Sequence, residues 1–407
     1  MRILVISNFY PPHYIGGYEL GCRDVVEGLN ARGHEAKVLT SIYGIGRPES
    51  DREIYRLLQA DLGWQSRGFA KLTKLLRKEV SNQMAFKRLC VTFSPEVIYA
   101  WNLTHVSISL AFMAQRMGLP VCYFVFDNWL SLWESDSWYS MWNRKPRRVL
   151  SRVVKLLFRP VLNMLGLLPS SSSLDMHHVQ FASQYLKQFA LQVGKPVTDG
   201  KVIHWGIDVN QYPYNKKVSL NPKRLLYVGQ IVRHKGIHTL VEALNLIVQQ
   251  HGYESSMLTI VGGTIIPDYE LYIRRLVSSL GLASNVCFTG LIQREHLPYI
   301  YQEHDILIFP STWDEPFGIV QLEAMASGLA IVGTATGGSA EILQDEVNAL
   351  VFPKEDAKAC AAQIIRLMSD SELFERIRQN GRRSAEDKFN FESMMDKIEN
   401  SLYKIVA

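Results

Sequence analysis

Short apolar segments alternate with amphipathic helical segments along most of the chain, and this alternation limits the possible folds more than any other feature. Strands that alternate with helices form parallel sheets with helical crossovers. A chain of 407 residues exceeds what one hydrophobic core usually supports, so we expect two doubly wound α/β domains. The predicted strands are Ile3–Ser7, Ala36–Thr40, Val97–Tyr99, Val121–Phe126, Leu225–Val228, Leu258–Val261, Val286–Phe288, Ile306–Phe309 and Ala330–Val332. Helices are predicted at Tyr18–Arg32 and Val106–Met117, and ligands should bind beyond the carboxyl ends of the strands.

The segment after Phe309 predicts a tight turn, which contains Pro316 and Gly318, and then a helix over Val320–Ser327. The helix begins with the free amides of Gly318, Ile319 and Val320, and such a positive helix end binds anions. Glu315 precedes these amides and Glu323 follows them, so both carboxylates can accept hydrogen bonds from hydroxyls of a molecule whose phosphates bind the amides. We interpret this pattern as a nucleotide-sugar site; the alternative is a helix cap with one buried, paired glutamate.

The run E-P-F-G-I-V-Q-L-E-A-M-A, with Ser327-Gly328-Leu329-Ala330 and Thr336-Gly337-Gly338-Ser339-Ala340-Glu341 after it, resembles the donor-site signature of retaining GT-B glycosyltransferases. More narrowly, it is similar to the large glycosyltransferase family 4. The resemblance implies two Rossmann-like doubly wound domains facing across a cleft: an acceptor-side domain at 1–205, a donor-binding domain at 206–385, and a final helix at 386–407 that crosses back to the first domain. Gly206-Ile207-Asp208 resembles the interdomain motif of the family, within a predicted linker at 204–222. Phe317 is expected to contribute to donor binding with the rest of the motif.

Two further glycine loops match this family. Gly16 and Gly17 follow the first strand, where adjacent glycines permit a tight loop and leave no side chain to block a phosphate. By resemblance they face the donor phosphates and the acceptor; the alternative is an ordinary strand–helix turn. Gly229, Gly262, Gly290 and Leu291 lie at the ends of strands in the second half. In the family such loops frame the nucleoside, although they can also be simple turns.

Lys235 is the predicted partner of the leaving group. It opens a strand–helix connection and can neutralise the pyrophosphate as the sugar–oxygen bond breaks. The family usually has arginine at the position of Gln230, which carries no charge, and Arg233 is expected to substitute for it. The alternative is that residues 233–235 form a solvated loop.

The first domain carries weaker candidates. Val125-Phe126-Asp127-Asn128-Trp129 aligns with a family stretch that commonly reads histidine–aspartate, and Phe126 replaces that histidine. Asp127 can contact a donor or acceptor hydroxyl, or it can cap a turn. His105 and Trp129 are candidates for the acceptor side; a lone histidine before an apolar helix is more often structural.

Composition excludes several classes of protein. A net charge of +5 is too small to indicate nucleic-acid binding. The five cysteines are scattered without a C-x-x-C, which indicates buried thiols in a reducing compartment. No Asp-x-Asp occurs, so we expect no metal or cofactor, with side chains and amides holding the pyrophosphate. The N-terminus shows no signal peptide, and we expect a cytoplasmic enzyme.

The segment 141–159 is basic and contains no acid. Its cations are Arg144, Lys145, Arg147, Arg148, Arg152, Lys155 and Arg159, and Trp138, Trp142, Leu156, Leu157 and Phe158 flank or interrupt them. Basic amphipathic segments with tryptophan favour anionic membrane surfaces, and enzymes of this family include ones that act on lipid-linked acceptors. The prediction is peripheral contact with the inner face of the membrane; the alternative is a solvated helix face.

Together these features predict transfer of a sugar from a nucleotide-sugar donor to a hydroxyl of a glycan or lipid-linked saccharide. By family resemblance, the anomeric configuration is retained. Two alternatives stay open: another GT-B enzyme such as a nucleotide-sugar epimerase, and a catalytically silent binding protein of the same fold. Glu315, Glu323 and Lys235 argue against the silent protein, whereas Gln230 and Phe126 keep that alternative open.

Overall fold

The computed structural model describes residues 1–62, 68–145, 149–168, 174–214, 224–249, 253–264 and 266–406. The chain forms two compact α/β units, each with its own sheet. The first unit contains Met1–Ala182, Leu186–Ile203 and Met395–Ala407, and the second contains Ser183–Tyr185 and His204–Met394. The prediction of two Rossmann-like α/β domains is confirmed.

The first unit is built on a sheet whose order is not the order of the chain. Its strands are β1 Arg2–Ser7, β2 Glu35–Ser41, β3 Glu49–Ser50, β4 Ile54–Leu58, β5 Val97–Asn102, β6 Val121–Val125, β7 Val179–Phe181 and β8 Lys201–Val202. The helices up to residue 192 are α1 Gly17–Ala31, α2 Gly68–Phe93, α3 Ser109–Arg116, α4 Ser137–Asn143, α5 Val149–Met164 and α6 Gln184–Gln192. The strand order is β3-β4-β2-β1-β5-β6-β7-β8, and the strands are parallel except for β3, which pairs antiparallel with β4. Loops after β1, β5 and β6 therefore lie at one edge of this sheet.

The second unit has strands β9 Arg224–Val228, β10 Met257–Val261, β11 Val286–Gly290, β12 Ile306–Phe309, β13 Ala330–Gly333 and β14 Leu350–Val351. Its helices are α7 Ile237–Gln249, α8 Pro267–Ser279, α9 Leu297–Gln302, α10 Ile319–Ser327, α11 Ala357–Ser369 and α12 Ser371–Asp387, and α13 Phe391–Val406 ends the chain. The strand order is β11-β10-β9-β12-β13-β14, with parallel pairing throughout the described strands. The order reverses between β9 and β12. In such sheets, ligands bind at this switch point, outside the carboxyl ends of the strands.

Apolar side chains on the strands and helices of the second unit form its core. Leu225 and Tyr227 on β9 and Ile306 on β12 pack with Leu240 and Leu244 of α7, and each of these residues is almost completely buried. Burial of one such side chain contributes about 1.5–3 kcal/mol. The core therefore holds the ends of β9 and β12 in fixed positions.

The last helix packs within the first unit through charged contacts. Arg32 donates to Asp396 at 2.7 Å and to Glu399 at 3.0 Å, and His34 Nε2 lies 2.7 Å from Glu399. These contacts join the connection between α1 and β2 to α13.

The nine predicted strands are all present, and most extend one or more residues beyond the prediction. The prediction omitted β3, β4, β7, β8 and β14, four of which have only two or three residues. Strands that short show no period-two pattern. The predicted linker at 204–222 is described only as far as residue 214.

Candidate functional site

The loops that follow β9 and β12 meet at the switch point of the second sheet. After β9 the chain makes a 3₁₀ turn over Arg233–Lys235, and Gly236 follows with φ of +70°. A Cβ atom at Gly236 would lie 1.8 Å from the carbonyl oxygen of Pro310, directly after β12. Only glycine permits this approach. It brings Lys235 to the turn that carries Glu315.

Lys235 and Glu315 form an ion pair, with Lys235 Nζ 2.8 Å from Oε1 and 2.9 Å from Oε2 of Glu315. Ser311 Oγ also donates to Glu315 Oε1, at 2.6 Å. The Glu315 side chain is 4% exposed and that of Lys235 is 23% exposed. Glu315 therefore has a cation and a hydroxyl to balance its buried charge, and the lysine can still be reached from solvent.

Helix α10 begins next to this ion pair. Gly318 precedes the helix with φ of +112°, a left-handed conformation that favours glycine. The amides of Gly318, Ile319 and Val320 belong to residues that are partly exposed, and the first amides of a helix have no partner inside it. An anion beside Lys235 can therefore accept hydrogen bonds from this helix end.

The loop at residues 337–338 packs against the backbone of the turn that contains Glu315. Gly338 N donates to the carbonyl oxygen of Glu315 at 2.6 Å, and a Cβ at Gly338 would lie 2.1 Å from the Pro316 oxygen. This contact gives a structural reason for the Gly337-Gly338 pair, which the sequence reading used only as part of the family signature.

Phe317 lies in the core of the second unit. Its side chain is fully buried and stacks on His204 with ring centroids 5.8 Å apart, with Phe389 at 6.0 Å. Only the backbone of Phe317 can therefore face a ligand in this structure.

Glu323 is buried in α10 and accepts two tyrosine hydrogen bonds. Tyr212 donates to Oε1 at 3.0 Å and Tyr301 to Oε2 at 2.8 Å, and Arg294 Nε lies 3.9 Å from Oε1. Burial, followed by the charge of Glu323, raises the pKa of both tyrosines, so both hydroxyls stay protonated donors. Tyr212, Tyr301 and Arg294 were not among the residues predicted from the sequence to form this site.

Three predicted glycines lie side by side at the ends of β9, β10 and β11. Gly229 N donates to Val261 O at 3.0 Å, and Gly262 N donates to Gly290 O at 2.9 Å. A Cβ at Gly262 would lie 1.9 Å from the oxygen of Gly229, so the two strand ends pack backbone to backbone. Leu291 follows with 80% of its surface exposed.

Arg233 is not drawn into this cluster. Its side chain is exposed and forms no hydrogen bond or ion pair with another described side chain, whereas its carbonyl oxygen accepts a hydrogen bond from Gly236 N at 3.1 Å. Among the described residues, no group of three His, Cys, Asp or Glu side chains is arranged to hold a metal ion.

In the first unit, Gly16 and Gly17 form the start of α1 directly after the β1 loop. Gly16 N donates to Glu19 Oε2 at 3.0 Å, which closes the first turn of the helix. The Tyr18 hydroxyl lies within hydrogen-bonding distance of the carbonyl oxygens of Trp101 and Phe124, near the ends of β5 and β6, and shares its one hydrogen between them. The hydroxyl of Tyr18 therefore holds the loop at Gly16 and Gly17 against the edge of the sheet.

Asp127 caps the turn after β6. Its Oδ1 accepts a hydrogen bond from Trp129 N at 2.7 Å, and Oδ2 accepts one from Asn102 Nδ2 at 3.3 Å. Burial raises the pKa of Asp127 to about 6. These contacts match the alternative in which Asp127 caps a turn. Phe126, which replaces the expected histidine, packs edge-on to Tyr18 with centroids 5.8 Å apart.

The two weak acceptor-side candidates both bond to backbone. His105 Nδ1 lies 2.7 Å from Asp61 O, and Trp129 Nε1 donates to Phe124 O at 3.4 Å. Trp129 is buried, with 8% of its surface exposed. The structure gives both side chains a place in the packing of the first unit.

Two models of glycosyltransferase families match this chain. The profile of "Glycosyl transferases group 1" matches residues 211–384, and that of "Glycosyl transferase 4-like domain" matches residues 16–161. The chain is 25% identical to an uncharacterised glycosyltransferase of Methanocaldococcus jannaschii, over 100% of this chain and 98% of the relative. It is also 25% identical to glycogen synthase of Mycobacterium tuberculosis, over 97% of this chain and 92% of that protein.

Two solved structures share the fold at full length. Sucrose-phosphate synthase of Thermosynechococcus elongatus superposes with a TM-score of 0.73 at 22% identity, covering 99% of this chain and 98% of that one. HepE of Anabaena, in complex with UDP and glucose, superposes with a TM-score of 0.71 at 20% identity and covers 99% of both chains.

Proposed function

This chain belongs to the group 1 glycosyltransferases with the GT-B fold, and we propose that it transfers a sugar from a nucleotide-sugar donor to an acceptor hydroxyl with retention of anomeric configuration. Its enzyme class is therefore glycosyltransferase. The acceptor we propose is a glycan or a lipid-linked saccharide, reached in the cytoplasm or at the inner face of the membrane.

One observation carries the donor proposal: Lys235 and Glu315 form their ion pair beside the free amides that begin α10. The amides and Lys235 can bind a diphosphate, and Glu315 can accept hydrogen bonds from hydroxyls of the sugar attached to it. The solved HepE structures with UDP and with UDP-glucose support a donor of this chemical class.

In the proposed reaction, the bond between the anomeric carbon and the β-phosphate oxygen breaks, and the acceptor oxygen bonds to that carbon on the same face. The acceptor proton passes to the departing phosphate, which leaves as part of a nucleoside diphosphate. Lys235 and the α10 amides stabilise the negative charge that grows on the phosphate. We propose that no metal is required, because these groups supply the positive field.

Glu315 is not free for sugar binding in the present arrangement, since Lys235 and Ser311 occupy its oxygens. We propose that the diphosphate draws Lys235 partly away from Glu315 and so releases carboxylate lone pairs for the sugar hydroxyls. For Glu323 we propose contact with the ribose diol, with Tyr212 and Tyr301 holding the carboxylate in position.

The proposal is tested by a thermal-shift screen of UDP-, GDP- and ADP-sugars, followed by NMR of the products with saccharide acceptors. We expect one nucleotide class to raise Tm, and a glycoside whose anomeric coupling matches that of the donor. Free or rearranged sugar without acceptor would identify a hydrolase or an epimerase instead. Binding without any product would favour the catalytically silent protein.

A further inference from the structure

Helix α5 presents large apolar side chains to solvent instead of to the core. Between 46% and 80% of the surface is exposed for Val153, Leu156, Leu157, Phe158, Val161, Met164 and the following Leu165. Of the helix side chains that the structure describes, only Leu162 is buried. A surface helix normally turns its apolar stripe towards the core, so this helix is oriented the other way round.

Helix periodicity shows that five of these side chains form one continuous surface. At 100° per residue, Val153, Leu156, Leu157, Val161 and Met164 occupy an arc of about 140°, with Leu162 roughly opposite its centre. We call this arc the α5 face. Leu162 packs on Leu75, Trp138 and Trp142 and fixes α5 to the unit. The α5 face is therefore directed away from the protein.

The charged residues in the segment that carries the α5 face all have one sign. The sequence contains no acidic residue between Asp136 and Asp175. Arg152 and Arg159 border the arc next to Leu156; both are exposed, and neither pairs with an acid of the described chain. Lys155 instead donates to Trp142 O and Arg144 O, which fastens α5 to the end of α4. Arg147 and Arg148 lie outside the described residues.

We propose that the α5 face docks on an anionic lipid bilayer, with the helix in the plane of the interface and its apolar side chains below the headgroups. An apolar face bordered by unpaired arginines matches acyl chains below anionic headgroups. A second copy of the chain matches it less well, because a symmetric contact would bring the arginines of both copies together without an acid. Within the described ranges, every helix is too short or too polar to cross a membrane.

Leu156 and Leu157 were among the apolar residues expected to make this contact, but the two tryptophans expected with them do not take part. Trp138 and Trp142 are buried, at 0% and 3% exposure, and cannot reach a bilayer surface. The contact instead comes from the leucine, valine and methionine side chains of the α5 face, so it is apolar as well as electrostatic. The inference stands on α5 alone and does not depend on the proposed transfer reaction.

Vesicle flotation of the full chain tests the proposal. Wild-type protein should float with phosphatidylcholine vesicles that contain phosphatidylglycerol, in low-salt buffer, and less well with pure phosphatidylcholine. Leu156→Gln with Leu157→Gln should lower the partition coefficient for anionic vesicles at least about tenfold. Arg152→Gln with Arg159→Gln should lower it by roughly the same factor on anionic vesicles only, since each near-surface cation contributes about fivefold.

Matched controls separate the α5 face from unspecific binding. Met84→Gln with Val91→Gln changes two exposed apolar side chains of α2, and Lys358→Gln with Arg376→Gln changes two exposed cations on α11 and α12. Both should float like wild type, and all variants should keep the wild-type Tm because the altered side chains are exposed.

Three results would overturn the proposal. The first is wild-type protein that stays unbound on anionic vesicles in low salt, and the second is an equal loss of binding in the control variants. The third is a concentration-dependent dimer, seen by sedimentation, that Leu156→Gln with Leu157→Gln dissociates while vesicle binding is absent; the α5 face would then be covered by a second copy. Nucleotide-sugar binding, measured in parallel, should be the same in every variant.

Discussion

Lys235 donates to both carboxylate oxygens of Glu315, across 80 residues of sequence, and Ser311 adds a third hydrogen bond to the same carboxylate. In this structure, the cation proposed for the leaving group thus also neutralises the carboxylate proposed for the sugar. The two residues should respond to substitution as a unit and not as separate contributors.

Lys235→Ala should reduce turnover about 10²–10³-fold, the scale for loss of one electrostatic donor. It should also lower the free energy of unfolding by roughly 1–3 kcal/mol, because the buried Glu315 carboxylate loses its charged donor and keeps only Ser311. Steady-state kinetics and urea unfolding measure the two effects. Lys235→Met with Glu315→Gln should recover stability but not turnover. As a control, Lys354→Ala breaks an exposed pair with Asp314 and should cost less than about 1 kcal/mol.

Glu315→Gln keeps the shape of the side chain but weakens hydrogen bonds to hydroxyls, which are stronger when the acceptor is charged. Turnover should fall by a larger factor than affinity for the nucleoside diphosphate, which lacks the sugar. Calorimetry with the diphosphate and with the complete donor separates the two. Equal losses for both ligands would show that Glu315 does not contact the sugar.

Tyr301→Phe and Tyr212→Phe each remove one hydrogen bond to Glu323. Since bonds to charged groups contribute about 1.5–3 kcal/mol, each change should weaken nucleoside diphosphate binding about tenfold or more, raising the KM for the donor with less effect on kcat. Tyr299→Phe is the control, because Tyr299 lies on the same helix as Tyr301 and is 66% exposed. A loss of stability with unchanged donor KM would assign the tyrosines to packing alone.

The pKa of Asp127, about 6, lies above the value of about 3.9 for an unfolded chain. The folded state therefore binds the proton more tightly between pH 4 and 6, and the stability contribution of this group falls as pH rises through that range. Asp127→Asn keeps an acceptor for Trp129 N and should remove this pH-dependent contribution. The free energy of unfolding at pH 7 should then rise by at most about 3 kcal/mol. Thermal unfolding of both proteins from pH 4 to 8 measures the difference. Asp51→Asn, at an exposed turn, is the control and should leave the dependence of Tm on pH unchanged.

Chelation tests the proposal that the reaction needs no metal. Amides at the start of α10 and the Lys235 side chain provide the positive groups, so EDTA should change the initial rate by less than about a factor of two. A strict requirement for added Mg²⁺ or Mn²⁺ would contradict this model of the leaving group.

Local patterns made much of the second unit predictable. β12, the turn at Pro316 and helix α10 follow one another in the chain, so propensity and turn chemistry predict them together. The partner of Glu315 was not predictable in the same way, because its pairing with Lys235 depends on β9 and β12 being neighbours in the sheet. No local pattern reports strand order.

The tyrosines that donate to Glu323 were likewise not predictable from local sequence patterns. Tyr212 lies 111 residues before Glu323, and Tyr301 lies 22 residues before it on another helix. A tyrosine in a helical segment carries no sign of which carboxylate its hydroxyl will reach. In the first unit, composition indicated a membrane-facing segment but assigned tryptophans to it that tertiary packing buries.

The backbone contact between Gly229 and Gly262 has a consequence for engineering of this enzyme. A Cβ at position 262 would lie 1.9 Å from a carbonyl oxygen, so random libraries that include this position would consist mostly of misfolded variants. Leu291 belongs to the neighbouring strand end but has 80% of its surface exposed, so it can accept almost any side chain. Because Leu291 is predicted from the family resemblance to frame the nucleoside, a search for altered nucleotide preference should diversify position 291 and leave the glycine scaffold constant.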